Sequence, residues 1–291
     1  MRGLLGGYSI IEVLIFLGVT GALFAASVAM LSGRDANTQF SQAMQDVELK
    51  MQDWINDVTN GFPGGEEIKY ECALTGAANR PKIDTVSGSK STTPNCVFLG
   101  KVIQLTASPD GANTNSEKAF IYSVFGRRLK ASDKTLVGNM ADAAPVAAAA
   151  ASGSGNADLT ETYEFSSGVR VKSIASASPV GSNPVPDGSR LVGFFLSLNT
   201  EVSSTANGNS SLQSFVYPVN GNEAPKSDTI LECIKMTLAT GPTCTFPVQP
   251  PGLRSWDICF VSPRNDKATA MLTVNSSDGW GATTNLEFKD C

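Results

Sequence analysis

The hydrophobic pattern of the first sixty residues has two parts. From Ile10 to Leu31 nearly every position is apolar, and Glu12 is the sole charged residue. After Ser32-Gly33-Arg34 the apolar positions thin to a stripe: Phe40, Met44, Val47, Met51, Trp54 and Val58, in steps of four and three. Gln42, Asp46, Lys50, Asp53 and Asp57 fill the other side. That spacing predicts an amphipathic helix with one buried face. Asn60-Gly61 with Pro63 beyond is a stop signal. A helix from Tyr8 to Asn60 would be about 80 Å long, apolar all round in its first half and one-sided in its second.

Beyond Gly61 the period changes. Short runs rich in Val, Ile, Phe and Thr, set between Gly, Asn, Ser and Pro clusters, predict strands at 97–105, 119–125, 169–174, 191–198, 214–217, 230–238, 257–261, 270–274 and 284–288. No long amphipathic helix separates them, so the expected class is α+β, with the helix stripe on a mainly antiparallel sheet. Residues 141–158, ADAAPVAAAAASGSGNAD, read as an exposed low-complexity loop, and 199–211 as a long turn. They suggest a head over 61–291, split near 141–160 into a part beside the helix and a β-rich C-terminal part.

Composition narrows the chemistry. The chain has 291 residues, a net charge of -5 and no histidine. The missing histidine removes imidazole acid–base catalysis, Ser-His and Cys-His pairs, and histidine-held metals. A mildly acidic chain lacks the basic footprint of non-specific nucleic-acid binding. Cys72, Cys96, Cys233, Cys244, Cys259 and Cys291 all follow the apolar segment, and none forms a CxxC pair. Six spread cysteines behind an export-type start point to disulfides made outside the cytoplasm. Of the 15 possible pairings, near neighbours are expected: Cys72 with Cys96, Cys233 with Cys244, and Cys259 with Cys291. The last would tie the final strand to a central one. Trp54, Trp256 and Trp280 are expected in the core or at an interface.

The apolar segment is long enough to cross a bilayer. A signal peptide would have Arg2 as its basic region, but its apolar run would be too long and would hold a glutamate. Ala25, Ala26 and Ser27 make a poor cleavage site. A plain signal anchor fits the length but explains neither Glu12 nor the glycines before Tyr8. The stretch Gly7-Tyr8-Ser9-Ile10-Ile11-Glu12 resembles the processing site of type IV prepilins and pseudopilins. The resemblance covers about the first 55 residues. It implies a leader over 1–7, a cut between Gly7 and Tyr8 by a prepilin peptidase, and N-methylation of Tyr8. It also implies that Glu12, then the fifth residue, pairs with the terminal amine of a neighbouring subunit. That would neutralise a carboxylate where an unpaired charge is costly. Residues 8–31 would serve as membrane span and then as filament core. Residues 61–291 would form an extracytoplasmic pilin-like head, and a C-terminal disulfide loop is common in that family.

The function so implied is non-enzymatic and needs no cofactor: a subunit, major or minor, of a type IV pilus or pseudopilus. Its partners would be other pilin subunits, the prepilin peptidase, the inner-membrane assembly platform and, before assembly, lipid. It would sit in the cytoplasmic membrane, then in an extracellular pilus or periplasmic pseudopilus. The large head favours a minor subunit and would serve adhesion or partner choice. Two features depart from the family: the leader MRGLLGG has only Arg2 as a positive charge, and no proline interrupts residues 8–31. The alternatives are an anchored binding or adhesion domain that never polymerises, and an anchored hydrolase using carboxylates.

Three further signals are weaker. Asp110, Asn113, Asn115 and Glu117 offer oxygen ligands that would suit calcium, but Asp-Gly with Asn is first of all turn chemistry. Arg127, Arg128, Lys130 and Lys134 form a basic cluster without interleaved aromatics, read as a solvated strand end rather than a phosphate site. Asn209-Ser210-Ser211 and Asn275-Ser276-Ser277 match glycosylation sequons, both expected in Ser/Asn-rich loops where chance matches are common.

Overall fold

The computed structural model describes residues 9–63, 70–75, 79–85, 95–108, 110, 112–138, 140–148, 160–176, 188–196, 212–219, 254–277 and 281–291. Gly7, Tyr8, Cys233, Cys244, Trp280, Asn209 and the expected strand at 230–238 lie outside them.

One helix, α1 (Ile10–Thr59), runs unbroken for 50 residues, about 75 Å. Its end follows the sequence signal. Asn60 caps it, and Gly61 takes a positive φ of 70°. Gly61 N–H donates to Val58 O at 3.1 Å and Phe62 N–H to Asp57 O at 2.7 Å. Those two bonds satisfy the last carbonyls as a Schellman motif, which needs a left-handed residue where Gly61 stands.

The strands are β1 (Tyr70–Thr75), β2 (Arg80–Thr85), β3 (Cys96–Ala107), β4 (Lys118–Arg127), β5 (Val146–Ala147), β6 (Glu161–Glu164), β7 (Arg170–Ser176), β8 (Gly188–Leu196), β9 (Leu212–Val219), β10 (Arg254–Val261), β11 (Thr269–Ser277) and β12 (Gly281–Glu287). All pairings among the described residues are antiparallel. They make a hairpin β1-β2, a four-stranded sheet β12-β11-β10-β7, and a six-stranded sheet β5-β4-β3-β8-β9 in which β6 also pairs with β4. The fold is therefore α+β, as the pattern of elements predicts. Strands from both sides of 141–160 share a sheet: β4 pairs with β6, and β3 with β8.

The stripe of α1 closes the core between the sheets. Phe40, Met44, Val47, Met51, Trp54 and Val58 are all buried, joined by Ala43 and Ile55. They meet Ile103, Leu105 and Ala107 of β3 and the alternating Trp256, Ile258 and Phe260 of β10. Period 3.6 on the helix and period 2 on the strands thus present their apolar faces to one interior. Trp54 lies edge-on to Tyr163 at 5.7 Å, and Phe40 to Phe288 at 6.2 Å. Burial raises the Tyr163 phenol above its ordinary pKa, and the nearby Asp46 charge adds to that.

Three expectations need correction. Residues 141–148 are not an exposed loop. A short helix, α2 (Met140–Ala143), leads into β5, and Ala143, Val146, Ala147 and Ala148 are buried. The reason is local: a Cβ on Gly126 would lie 2.9 Å from the Ala143 Cβ, so the bare backbone there lets α2 close on β4. Asp57 is not simply part of the solvated helix face. Its carboxylate holds the ammonium of Lys101 at 2.5 Å, and that lysine, on the helix-facing side of β3, is only 1% exposed. The sequon Asn275-Ser276-Ser277 lies within β11, where Asn275 pairs opposite Ser255 and Thr283.

Cys72–Cys96 joins the β1-β2 hairpin to the start of β3, and Cys259–Cys291 joins β10 to the C-terminal tail. The tail is also held by Lys172 Nζ donating to Cys291 O at 2.9 Å and Thr269 Oγ1 donating to Lys289 O at 2.8 Å. The Cys259–Cys291 bridge spans 32 positions, and opening it costs about 3–4 kcal/mol in the chain-entropy model. Denaturant titration of a Cys259→Ser, Cys291→Ser variant is expected to show that loss. A loss under about 1 kcal/mol would mean the unfolded chain gains little freedom from the cut.

Candidate functional site: the uncovered half of the long helix

Ile10–Val28 has a mean hydropathy of 2.1, and none of it is buried. Ile10, Ile11, Leu14, Ile15, Phe16, Leu17, Leu23 and Phe24 are each more than half exposed. By length and composition this segment can cross a membrane, as an anchor or as a signal segment. So large an apolar surface calls for lipid or protein around it. Its polar side chains are arranged accordingly. Thr20 Oγ1 lies 2.8 Å from Phe16 O and 3.1 Å from Leu17 O, and Ser27 Oγ donates to Leu23 O at 2.8 Å. Both hydroxyls are satisfied inside the helix and leave no polar demand on an apolar neighbour. A Cβ on Gly18 or Gly21 would meet nothing within 4 Å, so no contact in this chain requires either glycine.

The front of the helix is a built N-terminus. Ser9 is the N-cap, and its side chain accepts the Ile11 N–H at 3.3 Å. Ser9 O accepts the N–H groups of Glu12 and Val13. Glu12 is exposed in the first turn, where a carboxylate complements the positive end of the helix dipole. Ser9-x-x-Glu12 has the capping-box spacing, but the Ser9 side chain takes the Ile11 N–H instead, so the part Glu12 plays in this helix is that of an acidic residue in the first turn.

The other candidates are structural in their surroundings. Asp110 Oδ1 accepts from Ser108 Oγ at 2.9 Å and from Ala112 N–H at 3.0 Å. Those bonds, the Ala112 N–H first, hold its carboxyl below the ordinary carboxylate range. Asn113 Oδ1 accepts from Asn115 N–H at 3.0 Å, while Glu117 gives its backbone carbonyl to Phe165 N–H. The loop oxygens serve a turn, and among the described residues no group of three Asp, Glu, Cys or His side chains is placed to hold a metal. In the basic cluster, Arg127 Nε donates to Asp142 O at 2.5 Å and Lys130 pairs with the Asp142 carboxylate at 3.5 Å. Arg128 and Lys134 stay exposed.

No family model, curated protein or solved structure matches this chain.

Proposed function

We propose that the chain is a structural subunit of a type IV pilus or pseudopilus. It is cut between Gly7 and Tyr8, held in the cytoplasmic membrane by α1, and then assembled through that helix with the head outside. One observation carries this reading: a single 50-residue helix is apolar and uncovered as far as Val28, then builds the core of the head from Phe40 onward. A segment of that kind suits lipid before assembly and neighbouring helices after it, because both solvents are apolar. The helix packing would be close at Gly18 and Gly21, where small residues let backbones approach. Two disulfides in the head agree with an extracytoplasmic position.

The test is the N-terminal residue and its mass in protein from native membranes or sheared filaments. N-methylated Tyr8 is expected. An intact Met1 would reduce the molecule to an anchored domain, and a start near Ser27 would make it a secreted protein. The anchored-domain reading has one observation in its favour: Glu12 lies in the first turn, where its charge complements the positive end of its own helix.

A further inference from the structure

The apolar segment and the head share one unbroken helix, so α1 fixes which end of the head lies next to a bilayer. The head first closes on the helix at Ala36, Gln39 and Phe40. There Ser167, just before β7, and Pro263 and Arg264, in the β10–β11 turn, line a small cavity with them. Arg264 Nη1 donates to Gln39 Oε1 at 3.0 Å, and Gln39 Nε2 donates to Asp35 Oδ2 at 3.0 Å. Ala36 stands about 7.5 Å along the axis from Leu31, where the apolar run ends. The polar layer of a bilayer is about 5–7 Å deep on each side of the hydrocarbon core. The near end of the head therefore starts where the headgroups stop.

The surface at that end suits headgroups rather than acyl chains. Ser166, Ser167 and all of 263–267 are exposed, and none is a large apolar residue. The turn is built: Asn265 O accepts the Ala268 N–H at 2.8 Å, and Asn265 Oδ1 the Lys267 N–H at 3.2 Å. The Asp266 carboxylate accepts from Arg170 Nη2 at 3.1 Å, which ties it back to a side chain only 16% exposed. Asp35 is taken up by the Gln39 amide. Arg264 touches only a neutral amide, and the Lys267 ammonium has no partner among the described residues.

We infer that this end of the head, residues 166–168 and 263–267, seats on phospholipid headgroups while α1 spans the membrane, with Arg264 and Lys267 donating to lipid phosphates. The inference rests on the membrane reading of α1 above. Acids and bases are mixed at this end, so it is position along the helix, not net charge, that selects the bilayer as partner. The opposite pole cannot reach it: Asp57, where Lys101 of β3 meets the helix, lies about 30 Å farther along the axis than Ala36. Ser132, in the turn that follows β4 beyond its Cys96–Arg127 pairing, is exposed at that far pole.

The experiment uses the full chain with Leu17→Cys, Ser166→Cys or Ser132→Cys. Each variant is labelled with bimane without reductant, since the described cysteines are all bonded, and reconstituted in phospholipid vesicles. The vesicles carry a nitroxide either on the headgroup or in the acyl chain. The acyl nitroxide is expected to quench Leu17→Cys, the headgroup nitroxide to remove most of the emission of Ser166→Cys, and neither to affect Ser132→Cys. Quenching of Ser166→Cys no stronger than that of Ser132→Cys, with Leu17→Cys quenched, would overturn the headgroup seat and leave the span standing. An unquenched Leu17→Cys would overturn the membrane reading beneath it. As a second measurement, Arg264→Glu with Lys267→Glu should restore part of the Ser166→Cys emission in vesicles containing phosphatidylglycerol, because like charges repel. Unchanged emission would overturn the part given to the two cations.

Discussion

Asp57→Ala is expected to destabilise the head by about 3 kcal/mol, while Lys101→Met is expected to cost less than about 1 kcal/mol. The asymmetry comes from burial. Lys101 is 1% exposed and its ammonium lies 2.5 Å from the Asp57 carboxylate, whose own side chain is 32% exposed. Removing the aspartate strands a charge in the interior. Removing the lysine leaves a carboxylate that water can still reach, and methionine fills much the same volume. The lower end of the usual range for a broken buried pair is used because Asp57 is partly solvated. Urea titration of the full chain in detergent, followed by tryptophan fluorescence, would measure both, since Trp54 is one turn from Asp57. Equal losses from the two variants would mean that the pair is not organised around a stranded lysine. The double variant should recover most of the loss.

The second large effect concerns Glu12. Glu12→Ala should still be processed and inserted but should be missing from filaments, a loss of at least about tenfold, or 1.4 kcal/mol. The structure supplies a sharper companion. If Glu12 acts only within its own helix, as an acidic residue of the first turn, glutamine costs at most about 1 kcal/mol of dipole energy and filaments still form. If it acts as a charge toward a neighbour's amine, glutamine fails as alanine does. Filament recovery from Glu12→Gln therefore separates the two roles. Normal incorporation of both variants would end the assembly role for this residue.

Strong periodicity made much of this molecule readable in advance. The α1 stripe and its end at Asn60-Gly61 follow from spacing and from the left-handed turn that glycine allows. The strands β3, β4, β7, β10 and β11 are long or apolar enough to stand out. Both disulfides among the described residues join near neighbours, as expected. What escaped notice was decided by tertiary context. The strands YECALT and RPKIDT are short and carry Glu, Pro, Lys and Asp, residues that strands disfavour, yet they pair in full register and are tied to β3 by Cys72–Cys96. ETYE of β6 looks like surface, because it is mostly surface: Glu161, Thr162 and Glu164 are exposed and the backbone ladder to β4 holds it. The alanine-rich start of 141–158 reads as loop because alanine has no period, and only the space above Gly126 decides that it is buried. Lys101 is a charge inside an apolar strand, and no local rule says that Asp57, 44 positions earlier, will meet it.

The seating of β12 on α1 defines a route for mechanical load. Gln52 donates to Thr284 at 2.8 Å, and Phe40 packs on Phe288, so the last strand grips the helix along the head. A pull along the helix axis reaches that strand as shear, sliding side chains past one another rather than peeling them apart. The Cys259–Cys291 bridge then passes tension from the strand's trailing end to β10 in the middle of the sheet. An oxidised head is therefore braced covalently where a stretched fibre would load it, and a reduced one would let its terminal strand slip first.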